Sequence, residues 1–224
     1  MTRRRIYLLR HGKVAYFVDG RPVDPDDVHL TDEGRRETEQ TAAALSEIAF
    51  DRVITSGLPR TVETAQIVAP GREPEAWPEL RELAGGRLAD LPHPETAFAG
   101  AFSGTLPEDA TFLGGETIGS LLDRALPALQ RLAGDPDWDV ALVVSHGGTI
   151  RALLSYALTG GRAFLGNFEL APASISILDV GDDWIVRAVN VTPYDLAHTR
   201  TRLRTMEELW AQYKSTLSTT RLST

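Results

Sequence analysis

The residues of this chain best equipped for chemistry lie in two short stretches, Leu9-Arg10-His11-Gly12 and Ser145-His146-Gly147-Gly148. An Arg beside a His supplies a permanent cation and a group that gives or takes a proton near neutral pH. Such a pair suits an anionic substrate. A third candidate is Arg60, which follows Ser56 and Pro59 at the expected start of a helix. Pro is tolerated in a first turn because its missing N–H has no intrahelical partner there, and helix N-termini bind anions.

These side chains need elements that bring them together. Ile6-Tyr7-Leu8-Leu9 and Val140-Ala141-Leu142-Val143-Val144 are continuous apolar runs ending in polar, Gly-containing turns, the pattern of buried parallel strands. Ligands of open α/β sheets bind outside the carboxyl ends of such strands. Arg52-Val53-Ile54-Thr55 predicts a third strand, with Ser56 placed to cap the helix after it. Thr31 reads as the N-cap of a helix over Thr38, Ala42, Leu45 and Ile48. Residues 116–133 predict an amphipathic helix, and Ile150 to Ala157 another, stopped by Gly160-Gly161. Ser174 to Leu178 and Trp184 to Val189, separated by Gly181-Asp182-Asp183, read as a hairpin.

The expected fold class is α/β, a three-layer α/β/α sandwich whose mostly parallel central sheet includes an antiparallel edge strand. The expected main domain spans residues 1–198 and carries a loop insertion at about 84–115. A C-terminal helix and flexible tail, 199–224, follow. Leu203, Met206, Trp210, Tyr213 and Leu217 form a stripe that packs on the body or on a second subunit, and the Ser/Thr-rich end from Ser215 to Thr224 is expected to fray.

Composition narrows the options. At 224 residues with 42% hydrophobic and 24% charged residues, the chain is that of an ordinary soluble domain with a sizeable core. It contains no Cys, which removes disulfides, thiolate metal sites and Cys nucleophiles, and a reducing cytoplasm is the simplest home. A net charge of −8 disfavours nucleic-acid and membrane-surface partners, so an anion site must be a local arginine cluster. No segment is long enough to span a bilayer.

Read in order, Arg10-His11-Gly12, Leu30-Thr31 with Gly34, Ser56 through Arg60 with Thr61 and Glu63-Thr64-Ala65, Leu80-Arg81-Glu82, Gly114-Gly115-Glu116-Thr117 and Ser145-His146-Gly147-Gly148 resemble the histidine phosphatase superfamily, whose founding members are cofactor-dependent phosphoglycerate mutases. The resemblance covers about residues 5 to 195. It implies phosphomonoester hydrolysis through a phosphohistidine on His11, with His146 donating to the transferring group and Glu82 as proton donor. Asp90 and Glu116 are substitutes for Glu82. Phosphoryl transfer places charge on three equatorial oxygens, and Arg10 and Arg60 offer planar, multidentate donors to them. Gly147 and Phe17 complete the expected substrate-binding set. No metal or other cofactor is expected, because two arginines in the pocket would repel a divalent cation, which counts against a metal-dependent hydrolase.

Two departures qualify the resemblance. Phe17 stands where relatives carry an Asn that touches the phosphate, and Gly85-Gly86-Arg87-Leu88-Ala89 replaces their Gly-Trp-Glu-Gly signature. Between Arg87 and Arg124 there is no Lys or Arg, while Phe98, Phe102 and Phe112 are present. Those aromatics either favour a neutral or apolar leaving group, and so a phosphatase over a mutase, or anchor the loop in the core. Phosphoglycerate mutase-type transfer and a catalytically weak phospho-ligand binder are the remaining alternatives. The expected partner is a small phosphate monoester, with a homodimer plausible from the C-terminal stripe. His29, His93 and His198 are expected at the surface or in loops.

Overall fold

The computed structural model describes residues 3–18 and 21–221, with side chains up to residue 215. β1 (Arg4–Arg10) alternates its faces, Ile6 and Leu8 pointing into one apolar layer and Tyr7 and Leu9 into the other. Burial of such a side chain contributes about 1.5–3 kcal/mol, so both layers hold the strand in register. A small antiparallel pair, β2 (Phe17–Val18) with β3 (Arg21–Pro22), follows. α1 (Asp32–Ala44) begins at Thr31, whose Oγ1 accepts the Gly34 N–H at 3.0 Å, the cap its sequence predicts.

β4 (Arg52–Thr55) leads into α2 (Pro59–Val68), which starts on Pro59 with Leu58 as its cap residue and no side-chain cap. Ser56 therefore does not cap this helix; its hydroxyl has another partner, described below. β5 (Glu75–Ala76) is short, α3 (Pro94–Gly100) lies within the expected insertion, and α4 (Ile118–Gly134) is capped by Thr117. β6 (Val140–Ser145) runs into α5 (Gly147–Thr159), which ends on Gly160 at φ 71°, a left-handed position suited to glycine. β7 (Ile175–Val180) and β8 (Trp184–Val191) form the expected hairpin, and α6 (Thr205–Arg221) closes the described chain.

The sheet order is β5-β4-β6-β1-β7-β8. β5, β4, β6 and β1 are parallel, β7 pairs antiparallel with β1, and β8 antiparallel with β7. α1 and α2 cover the face presented by Tyr7, Leu9, Leu142 and Val144, while α4 and α5 cover the face of Ile6, Leu8, Ala141 and Val143. This is a three-layer α/β/α sandwich with antiparallel pairing at one edge.

α6 lies on the body. Met206 is buried, Trp210 packs at a tilt against Phe98 of α3 and Tyr213 stacks on it, with ring centroids 5.4 and 6.0 Å from that of Phe98. Leu203 stays exposed, and the side chain of Leu217 lies outside the described residues. The helix continues through Arg221, past the Ser215 at which composition predicts fraying, and residues 222–224 lie outside the described residues. Among the described residues, no helix is long and apolar enough to cross a membrane.

Candidate active site

Three neighbouring parallel strands, β4, β6 and β1, end at the same edge of the sheet. The pairings Thr55↔Val144 and Arg10↔Ser145 put Ser56, His146 and His11 side by side just beyond their strands, and the His11 N–H donates to Ser145 O at 3.0 Å. The rings of His11 and His146 are 5.1 Å apart and both are buried. A close crossing fixes the turn after His11: a Cβ on Gly12 would lie 2.5 Å from Thr38 Oγ1, so the loop fits against α1 only as glycine.

The two imidazoles are held differently. His11 Nδ1 lies 2.8 Å from Gly12 O, and since a carbonyl only accepts, Nδ1 carries the proton and Nε2 keeps its lone pair. Burial, then the charges of Arg10 and Arg60, hold this ring well below the ordinary histidine value near 6.5. His146 Nε2 lies 2.8 Å from Ser56 Oγ, which is 3.0 Å from Thr61 Oγ1, and Thr61 donates its proton to Leu58 O at 2.8 Å. The chain of hydroxyls then runs in one direction: Ser56 donates to Thr61 and His146 Nε2 to Ser56. That leaves Nδ1 of His146, buried and without a partner, as the lone-pair nitrogen of the neutral ring. Burial, followed by the neighbouring His11, Arg60 and Arg10, favours that neutral form.

Both arginines are buried and only partly satisfied. Arg60 donates through Nη1 to Pro25 O at 2.6 Å, and Arg10 through Nη1 to Leu170 O and to Thr205 Oγ1, the latter at 2.9 Å. The Nε of each is buried without a partner. Gly147, the first residue of α5, adjoins the Arg10 Nε edge, which a Cβ there would meet at 3.7 Å. The charges of Arg10 and Arg60 thus act on both imidazoles, and His146 immediately precedes α5, whose first backbone N–H groups favour an anion. Unpaired buried donors are costly, and the chemistry of this donor set suits a multidentate anion.

Glu82 approaches from the loop after β5. Its Oε2 accepts the Gly148 N–H at 2.9 Å and its Oε1 the Leu83 N–H at 3.0 Å, and its charge acts on Arg151 and on the phenol of Tyr16. It pairs with neither Arg81, which faces Asp26, nor Arg87, which faces Asp90. The two substitutes lie elsewhere. Asp90 is exposed at the surface, and Glu116 is bound bidentately by Arg124 at 2.9 Å while accepting the Ala84 N–H at 3.0 Å. Arg124 also donates to the carbonyls of Glu79, Arg81 and Glu82, so this pair shapes the loop that presents Glu82.

Phe17 turns towards α6, its ring 5.9 Å from that of Tyr213. The neighbouring Tyr16 is the residue in the field of the site: burial pushes its phenol up, and Arg60 and Arg10 pull it back. Phe98 and Phe102 are core residues, and Phe112 stacks on Phe102 at 5.1 Å, which makes them loop anchors. Arg151, buried on α5 and carried over the Phe102 ring at 4.6 Å, sends Nη1 to Gly147 O at 2.9 Å. Tyr16, Arg124, Arg151, Glu169 and Thr205 carry no local sequence signal of a place here. His29 is exposed and paired with Glu63, and His93 and His198 are exposed. Among the described residues, no group of three or more His, Asp or Glu side chains is placed to hold a metal ion.

The chain is similar in sequence and fold to known proteins. The sequence is 31% identical over 191 residues to phosphoglycerate mutase-like protein 4 of Arabidopsis thaliana, covering 81% of this chain and 83% of that one. It is 29% identical over 183 residues to the adenosylcobalamin/alpha-ribazole phosphatase of Salmonella typhimurium, covering 79% and 90%. The fold matches that of a mycobacterial glucosyl-3-phosphoglycerate phosphatase solved with VO3, with a TM-score of 0.68 at 24% identity, covering 84% of this chain and 98% of that one. The sequence profile of the histidine phosphatase superfamily (branch 1) matches residues 6–192, from the third residue of β1 to just past β8, and so includes both histidines. By that match the chain belongs to the histidine phosphatase superfamily, branch 1.

Proposed function

We propose that this protein hydrolyses small phosphate monoesters, without a metal, through a phosphohistidine on His11. The observation that carries the reading is the Gly12 carbonyl at Nδ1 of His11, which leaves the Nε2 lone pair of this buried ring available, while Arg10 and Arg60, whose charges act on the ring, and the neighbouring His146 each keep one unpartnered nitrogen. Nε2 attacks phosphorus in line while Arg10 and Arg60 hold the equatorial oxygens. The P–O bond to the alcohol breaks, and the departing oxygen takes a proton from Glu82. A water then attacks the phosphohistidine, gives its proton back to Glu82 and releases inorganic phosphate. His146 donates to the phosphoryl group through Nδ1 only as the imidazolium, the form that a bound phosphate dianion favours.

Mutase-type transfer is the second reading, supported by the phosphoglycerate mutase-like relative. It needs cationic groups for the second anionic group of the substrate. The arginine at the end of the stretch that lacks Lys and Arg, Arg124, is already bound to Glu116 and to loop carbonyls, which favours hydrolysis. A panel of phosphate monoesters assayed with excess chelator tests both. Turnover that is unaffected by chelator, abolished in His11→Ala and kept in His93→Ala is expected. Transfer between phosphoglycerate positions at a rate matching or exceeding hydrolysis would overturn the preference, and retained turnover in His11→Ala would overturn the mechanism.

A further inference from the structure

The guanidinium of Arg10 is oriented by a residue that lies 195 positions away in sequence. Thr205, the first residue of α6, accepts from Arg10 Nη1 at 2.9 Å and donates its single hydroxyl proton to Glu169 Oε1 at 2.6 Å, while its own N–H reaches the same oxygen at 3.3 Å. The other oxygen of Glu169 lies 3.8 Å from Nη2 of the buried Arg151, whose Nη1 binds Gly147 O. A ring of contacts therefore runs from Arg10 through Thr205, Glu169 and Arg151 to Gly147, which adjoins Arg10 again across the Nε edge. With Nη1 occupied by Leu170 O and Thr205, the unpartnered Nε edge is the part of Arg10 left facing the site.

We propose that Thr205 and Glu169 are positioning residues for the phosphate clamp, so that docking of the C-terminal helix α6 and binding of phosphate by Arg10 are a single coupled equilibrium. The inference rests on the reading of Arg10 as a phosphate ligand. The direction of the hydrogen bonds makes the role specific: a hydroxyl accepts from Arg10 and donates to Glu169 at once, Ser retains both bonds, and Val, equal in shape to Thr, retains neither. Coupling is reciprocal, so whatever α6 contributes to phosphate affinity, phosphate returns to the docking of α6. A hydrogen bond to a charged group is worth about 1.5–3 kcal/mol, and one of the two bonds at Nη1 remains. The expected loss of affinity is therefore at the lower end, about tenfold.

The test uses the full chain with inorganic phosphate as the probe. Thr205→Val raises the inhibition constant for phosphate and KM about tenfold with kcat changed less than about threefold, Glu169→Gln shifts both in the same direction, and Thr205→Ser restores wild-type values. Saturating phosphate slows backbone hydrogen exchange over residues 205–215 in the wild type and in Thr205→Ser, but not in Thr205→Val. Should wild type bind phosphate while Thr205→Val matches it in affinity and exchange, the positioning role falls and the phosphate site stands. Equal losses in Val and Ser variants would also overturn it. Absence of phosphate binding by the wild type itself would remove the site reading and this proposal together.

Discussion

Replacing Gly148 with Ala tests the proton-donor assignment without touching the donor. A Cβ at this position would lie 2.4 Å from Glu82 Oε1, 2.9 Å from Leu83 Cδ1 and 3.1 Å from Phe102 Cζ. Ordinary contact begins near 3.5 Å, so the carboxylate must retreat by about 1 Å and lose its seat on the Gly148 N–H. The helix itself tolerates the change, since Ala is the better helix former by about 1 kcal/mol. A misplacement of about 1 Å costs about 100-fold, within the 10²–10⁴ contributed by a general acid. The loss depends on the leaving group. For an alkyl phosphate, whose alkoxide needs the proton, kcat/KM is expected to fall about 100-fold. For 4-nitrophenyl phosphate, whose leaving group departs as a stable anion, it changes less than about threefold. Glu82→Gln gives the same pattern. Steady-state kinetics on the two substrates decide the matter, and an equal loss on both, or none on either, would refute the placement of Glu82 as the acid.

Two further outcomes follow from the buried histidines. Both are held well below 6.5 in the folded protein, so the unfolded chain binds more protons in the interval beneath 6.5. Stability is full above about pH 6.5 and declines as pH falls from there towards the folded values; thermal melts should show this slope flattened in His11→Gln, and a melt unchanged between pH 7 and 5 would contradict it. If the hydroxyl chain through Ser56 fixes the proton of His146 on Nε2, phosphate binding at pH 7.5 is accompanied by uptake of about one proton. Calorimetry in two buffers of different ionisation enthalpy measures it, with His146→Gln bringing uptake near zero and no uptake in the wild type refuting the tautomer.

Much of this site is legible in the chain because its parts sit where apolar runs end. Arg10-His11 and Ser145-His146 each follow a strand whose pattern is local, and Arg60 follows a proline that marks a helix start. Strand order is not local: β6 lies between β4 and β1 although more than eighty residues separate it from the former, and only that order brings Ser56 to His146. The Ser56 hydroxyl has two possible uses in a sequence, capping or pairing, and the packed neighbour decides. The contacts of Thr205, Glu169 and Arg151 join distant segments, so no periodicity announces them. Phe98, Phe102 and Phe112 illustrate the converse: an aromatic in a loop reads as a binding surface or as an anchor, and the core claimed them.

The claim on which the rest depends is a covalent phosphate on His11. Wild-type protein mixed with a 32P-labelled monoester, stopped in alkaline denaturant during turnover and digested, should carry label on the peptide containing His11. That label should be stable to alkali, lost in acid and absent from His11→Ala. Turnover with no trapped phosphate, or label on any residue other than His11, would contradict the account.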